Sequence, residues 1–195
     1  EGPGERPLVI LHGSHYETVP ACPGANDNAS SLGILLELAR VLGASGSNVD
    51  LLYIATSGEE GGCSGSIDYV AAHKEWLGRR AIAAIAFDQV AGSEVCLSAH
   101  GSETLNRLMI DIAGSMGYRL RRDDDPALRL RTGLSDVKPF AELGIPSVYL
   151  GGWASDLFYH TRADTPDKCN PNGLKVLADV IRATVLALDS GARQG

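Results

Sequence analysis

Short, unbroken apolar runs alternate along the chain with stretches whose apolar residues recur every three or four positions. Leu8-Val9-Ile10-Leu11 carries no polar side chain and reads as a strand buried on both faces. From Ser30 to Leu42, apolar residues fall at Leu32, Leu35, Leu36, Ala39 and Leu42, a helical spacing, and Gly43 supplies a stop. Val49 to Ala55 is a second strand, Ser64 to Trp76 a helix, and Ala81 to Phe87 a third strand. A further strand is expected from Glu94 to Ser98. The helix predicted from Leu105 to Met116 puts Leu105, Leu108, Met109 and Ile112 on one face. The segment Arg119 to Arg131 is rich in both charge signs and reads as a solvated hairpin or loop. Pro139 to Leu143 closes at Gly144, Ser147-Val148-Tyr149-Leu150 is a strand, and Leu174 to Leu188 is a last amphipathic helix.

Continuous apolar strands separated by helices predict an α/β fold, with a mostly parallel sheet covered on both faces. Ligands of such sheets gather outside the carboxyl ends of the strands. His15, Glu59, Glu60 and Asp88 all follow predicted strands. No internal repeat or long linker divides the 195 residues, so one domain over 1–195 is expected.

Composition works by exclusion. A net charge of −7 and a pI near 5.2 speak against a broad nucleic-acid footprint. The longest apolar runs fall far short of the ~20 residues that span a membrane. Cys22, Cys63, Cys96 and Cys169 are scattered without a CxxC pair, which argues against a thiolate zinc site. They are expected mostly as unpaired small core or loop residues. Composition fixes neither compartment nor oligomeric state.

The chemistry lies in the polar residues at the turns. Two adjacent glutamates, Glu59 and Glu60, follow the apolar run Leu51 to Ala55. His15, Asp27, Asp88 and His160 stand beyond other predicted elements. Two histidines and three carboxylates suit a two-zinc hydrolytic site, and the remaining glutamate is a candidate general base. Zinc takes imidazole nitrogen and carboxylate oxygen, and one carboxylate can bridge two ions. Three carboxylates and one bridging hydroxide would balance the four positive charges. Co2+ or Mn2+ is acceptable to the same donors.

The motifs around these residues resemble a known family. Gly24-Ala25-Asn26-Asp27-Asn28-Ala29-Ser30 is similar to a signature of the bacterial di-zinc leucine aminopeptidases. The broader family includes glutamate carboxypeptidase II and the glutaminyl cyclases. The match continues through Thr56-Ser57-Gly58-Glu59-Glu60-Gly61, Phe87-Asp88-Gln89, Ser135-Asp136, Pro139-Phe140, Gly144-Ile145-Pro146 and Tyr159-His160-Thr161. The resemblance implies a three-layer α/β/α fold of the zinc-exopeptidase kind, with a mixed, mostly parallel sheet.

It also implies roles. Asp27 would bridge two zinc ions, one shared with His15 and Asp88 and the other with Glu60 and His160. Glu59 would be the general base for a metal-bridging hydroxide, and Tyr159 would donate to the oxyanion. The expected substrate is a peptide or aminoacyl amide cleaved after its N-terminal residue. A cis peptide bond is implied at Asp27-Asn28. Trp153 and Phe158, just before His160, are candidates for the substrate pocket. His12, His73 and His100 are expected to be structural or exposed.

Two departures stand out. His15-Tyr16-Glu17 replaces the family's His-x-Asp, so Glu17 carries an extra methylene where an Asp acts from outside the metal site. Val137 stands in Ser135-Asp136-Val137 where the family has His, and Asp136 is expected to position a loop. The chain begins just before the first matching strand, as a trimmed core or a compact member would. Two other outcomes remain open from sequence: a one-zinc glutaminyl cyclase, and a binding module of the same fold that lacks catalysis.

Overall fold

The computed structural model describes residues 5–43, 47–92, 96–98, 101–123, 135–152 and 157–192. Six strands form one sheet: β1 Leu8–His15, β2 Asp50–Thr56, β3 Ala81–Asp88, β4 Cys96–Ser98, β5 Arg121–Asp123 and β6 Ser147–Gly151. Their order across the sheet is β2-β1-β3-β6-β4-β5. The four strands from β2 to β6 run parallel, whereas β4 is antiparallel to β6 and parallel to β5. Among the described residues, five α-helices accompany it: α1 Ser30–Leu42, α2 Ser64–Arg80, α3 Glu103–Ser115, α4 Lys138–Glu142 and α5 Pro171–Ala192.

Alternation along the strands sorts the core into two layers. Val9 and Leu11 of β1 point into a cluster with Ile34 and Leu38 of α1, Met109 of α3 and Leu177 and Ile181 of α5. Leu8 and Ile10 point the other way, toward Val70 and Leu77 of α2 and Phe140 of α4. A strand buried on both faces has no need of polar alternation, and for that reason β1 reads as an unbroken apolar run. The expected α/β/α sandwich is therefore what forms. Chain order steps outward from β1 to β2 and then back across to β3, so β1 sits where the direction of winding reverses. Ligands collect at such switch points.

Helix α1 has the bounds its periodicity predicts. Helix α2 runs one turn further than expected, to Arg80. That last turn buries Leu77 and places Arg79 and Arg80 against the negative end of the helix dipole. Helix α5 begins earlier than expected, at Pro171, which suits a first helical position because it lacks an N–H. Asn170 Oδ1 caps it by accepting from the Asn172 N–H at 3.1 Å. Within the segment read as a solvated hairpin or loop, Arg121–Asp123 is an edge strand. Charged side chains on an outer strand discourage further pairing. No helix among the described residues is long and apolar enough to cross a membrane.

Candidate metal centre

The carboxyl ends of β1, β2 and β3 lie side by side, because these strands are parallel and in register: His15 pairs with Thr56, and His12 with Ala86. The chain then makes a tight turn that carries Glu59 and Glu60. Gly58 enters it at φ +81, a left-handed conformation suited to glycine. The Glu59 carbonyl accepts from the N–H groups of Gly62 and Cys63 at 2.8 and 3.1 Å. Gly65 closes the turn by donating to Ser57 O at 3.0 Å, so close that a Cβ there would stand 2.3 Å from that oxygen. Gly65→Ala is accordingly expected to cost about 2 kcal/mol or more, since backbone must move to admit the methyl. Urea unfolding of the two proteins measures this. A loss within 0.5 kcal/mol of zero, typical of neutral surface changes, would mean the turn is loose.

The second turn joins β1 to α1 and holds Asp27. The Asp27-Asn28 peptide bond is cis. Asp164 fixes this turn from across the fold: its carboxylate accepts the N–H groups of Asn26 at 2.7 Å and Asp27 at 3.0 Å. The Asn28 amide donates to Gly13 O at 3.2 Å, and its oxygen accepts from the Gln89 N–H at 3.2 Å. Asn26 Oδ1 accepts from the Ala91 N–H at 2.7 Å. The two asparagines thus tie the Asp27 turn to the segment after β3, which carries Asp88.

These turns bring the six sequence candidates together. Asp27 lies between the two histidines. Its Oδ1 is 3.2 Å from His15 Nε2, and its Oδ2 is 3.2 Å from His160 Nε2. His15 Nε2 is also 3.5 Å from Asp88 Oδ1 and 4.0 Å from Glu59 Oε2. His160 Nε2 stands 3.0 and 2.9 Å from the two oxygens of Glu60. One ligating atom from each of His15, Asp27 and Glu60 lies within 4.8 Å of the others. The His15 and Asp27 side chains are 1% exposed and that of His160 is 32% exposed, so one half of the cluster is sealed and the other is open. Four buried atoms, His15 Nε2, both Asp27 oxygens and Asp88 Oδ1, lack a well-formed hydrogen bond. Buried polar atoms without partners are costly, and four gathered in one cluster suit a cationic partner.

Electrostatics agree. Burial raises the carboxyl of Asp27 above its usual range, and the charge of Asp88 adds to this. Glu59 is pushed up to about 8, first by burial and then by the charge of Asp88. Burial would lower His15, but the close carboxylates of Asp27 and Asp88 outweigh it and lift the ring to about 12. The cluster thus has an excess of negative charge. Four of the five non-glycine residues with positive φ among those described, Ser14, Cys63, Gln89 and His160, lie at or near it. Such conformations concentrate at functional sites.

A second layer supports the cluster. His15 Nδ1–H donates to the Glu17 carbonyl at 2.9 Å, which leaves Nε2 facing inward. The longer side chain of Glu17 places Oε1 on the Glu59 N–H at 2.7 Å, while Oε2 lies 3.8 Å from His15 Nδ1. The expected orienting task of Glu17 is therefore carried by its backbone carbonyl, and its carboxylate pins the Glu59 turn. Asp136 is buried and accepts from Ser66 Oγ at 2.6 Å and Ser14 Oγ at 2.8 Å. It joins the end of β1 to the start of α2. Tyr149, which the sequence pattern marks only as a strand residue, donates to Asp88 Oδ2 at 3.1 Å. Burial first, and then the charge of Asp88, hold its hydroxyl well above the usual value, so it stays a donor.

The remaining candidates separate. The Tyr159 ring stacks on His160 with centroids 3.7 Å apart, and burial followed by the charges of Asp27 and Glu60 lifts its hydroxyl to about 12. Phe158 is half-buried, with Lys168 Nζ 5.8 Å from its ring centre. Trp153 and His100 lie outside the described residues. His12 is fully buried against Phe140 and pushed down to about 4 by burial, so it is a neutral core residue. His73 is exposed on α2, beside Tyr69.

The family model of peptidase family M28 matches residues 1–185. The chain belongs to peptidase family M28. Aminopeptidase YwaD of Bacillus subtilis (strain 168) is 30% identical over 187 residues, covering 93% of this chain and 41% of that protein. The solved structure of an aminopeptidase from Aneurinibacillus sp. strain AM-1 superposes with a TM-score of 0.82 at 28% identity, over 92% of this chain and 43% of that one. BSAP, a zinc aminopeptidase from Bacillus subtilis, gives a TM-score of 0.82 at 27% identity, over 96% and 47%. The chain thus spans less than half the length of these relatives. The resemblance read from its motifs is borne out as membership of the family.

Proposed function

We propose that this chain carries the catalytic machinery of a two-zinc aminopeptidase, which removes the N-terminal residue of a peptide or aminoacyl amide. The observation that carries the reading is the division of Asp27. Its two oxygens each face a different histidine nitrogen at 3.2 Å, and each histidine has its own further carboxylate. Donors on one tetrahedral zinc at about 2.0–2.2 Å stand roughly 3.3–3.6 Å apart. Both groups of donors come within a few tenths of an ångström of that spacing, and the unpartnered buried atoms fit a cation rather than one another. His15, Asp27 and Asp88 would hold one ion, and Asp27, Glu60 and His160 the other; Co2+ or Mn2+ suits the same donors. Such a pair supplies Lewis-acid polarisation of a carbonyl and acidification of water.

The chain's own residues do the rest. Glu59 takes a proton from the attacking water and returns it to the leaving amine; burial and negative neighbours give its carboxylate the necessary basicity. Its turn is pinned by Glu17. The Tyr159 phenol, protonated at neutral pH, donates to the carbonyl oxygen as negative charge develops there. Phe158, and Trp153 beyond the described residues, are the proposed walls for the substrate side chain. The acidic net charge favours a substrate with a free amine.

Dialysis against 1,10-phenanthroline is expected to abolish hydrolysis of leucine p-nitroanilide. Zinc should restore it in step with two ions per chain. One ion per chain, with cyclisation of N-terminal glutamine, would overturn the reading.

A further inference from the structure

The register of the sheet gives Tyr149 a task beyond packing. In the parallel pair β3–β6, Ala86 lies opposite Tyr149 and Asp88 opposite Gly151. Side chains alternate along a strand, so Tyr149 and Asp88 leave the same face, with Asp88 two residues nearer the carboxyl edge. Two residues rise roughly 6.6 Å along a strand, a distance that a tyrosine side chain can reach across. The hydroxyl accordingly ends 3.1 Å from Asp88 Oδ2. Ser14 Oγ is also near that oxygen, at 3.3 Å, but stands closer to Asp136 Oδ2, at 2.8 Å. Its single proton is better placed on Asp136, which leaves Tyr149 as the main donor to Oδ2. The other oxygen of Asp88, Oδ1, is buried without a hydrogen bond and faces His15 Nε2 at 3.5 Å.

We propose that Tyr149 is a positioning residue for the ion held by His15, Asp27 and Asp88: by holding Oδ2, it makes Oδ1 the single donor that Asp88 presents. The inference rests on the two-ion reading above. An aspartate carboxylate turns over a broad, nearly two-fold torsion, so without an anchor it can exchange oxygens or chelate. A charge-assisted O–H···O⁻ bond suppresses that freedom. Both groups sit on adjacent central strands, with Tyr149 7% and Asp88 2% exposed, so neither moves without the sheet. Partners of this kind, one bond removed from a metal, typically change its affinity 10–100-fold.

Tyr149→Phe keeps the ring and removes the donor. The His160→Ala background leaves the His15–Asp88 ion to be read by itself. Zinc is titrated into each metal-free protein against a competing chelator dye, with circular dichroism to confirm folding. His160→Ala/Tyr149→Phe is expected to bind zinc about 10–100-fold more weakly than His160→Ala. Tyr149→Phe alone should weaken one of two ions and spare the other. A wild-type chain that binds two ions, with both affinities unchanged or equally weakened in Tyr149→Phe, overturns this proposal alone. A wild-type chain that binds none overturns it together with the two-ion reading.

Discussion

Asp27→Ala is expected to release both zinc ions, whereas His160→Ala should release one. Each Asp27 oxygen faces a different histidine at 3.2 Å, so the alanine variant removes a donor from both groups at once. The remaining pairs, His15 with Asp88 and Glu60 with His160, are two-donor sites, and structural or catalytic zinc takes at least three protein ligands. Turnover of leucine p-nitroanilide should fall at least about a thousandfold. Lewis-acid stabilisation is worth several kcal/mol, and each 1.36 kcal/mol is a factor of ten. The same substitution should leave the metal-free protein as stable as before, or more so. Burial already raises the Asp27 carboxyl, and the nearby charge of Asp88 makes it costlier to ionise. Metal analysis after gel filtration and thermal melts of the metal-free proteins check both halves. An Asp27→Ala protein that retains one tightly held ion and measurable turnover would show that Asp27 does not bridge.

The fold and the candidate cluster were legible in the sequence to different depths. Helix α1 was read to the residue because one amphipathic stripe, closed by Gly43, carries all the information its ends require. The central strands were legible for a related reason: burial on both faces removes polar interruptions. The Arg121–Asp123 strand was not, because an edge strand of charged residues has no period to detect. At the cluster, residue types and motif order singled out six side chains that the fold gathers in one place, since their chemistry is local to each turn. What no local pattern carries is the cross-strand register. Tyr149 reads as one more apolar-strand residue until β6 is set against β3, and only then does its hydroxyl meet Asp88. Glu17 shows the same limit. In sequence its added methylene is only a departure from the family's Asp, but in three dimensions it reaches the Glu59 N–H. Asp164 likewise lies 137 residues from the Asp27 N–H that it accepts.

Glu59→Gln is expected to keep both ions and lose turnover by about 10²–10⁴-fold, the usual contribution of a positioned acid–base group. The amide has the shape of the carboxyl but cannot accept the water's proton. The backbone that places residue 59 does not depend on its side chain: Glu17 holds its N–H, and its carbonyl holds Gly62 and Cys63. Substrate binding should therefore be nearly unaffected, so the loss falls on kcat rather than KM. Glu60→Gln makes the contrast. Both Glu60 oxygens face His160 Nε2 at about 3 Å, so replacing one with an amide nitrogen should weaken the ion on that side. Metal content and kcat measured together separate the two glutamates. A base mutant should be fully loaded and slow, and a ligand mutant should be underloaded and rescued in part by excess zinc. If Glu59→Gln also needs added zinc, Glu59 is acting as a ligand. If Glu60→Gln stays fully loaded, the second ion is not held where Asp27 and His160 place it.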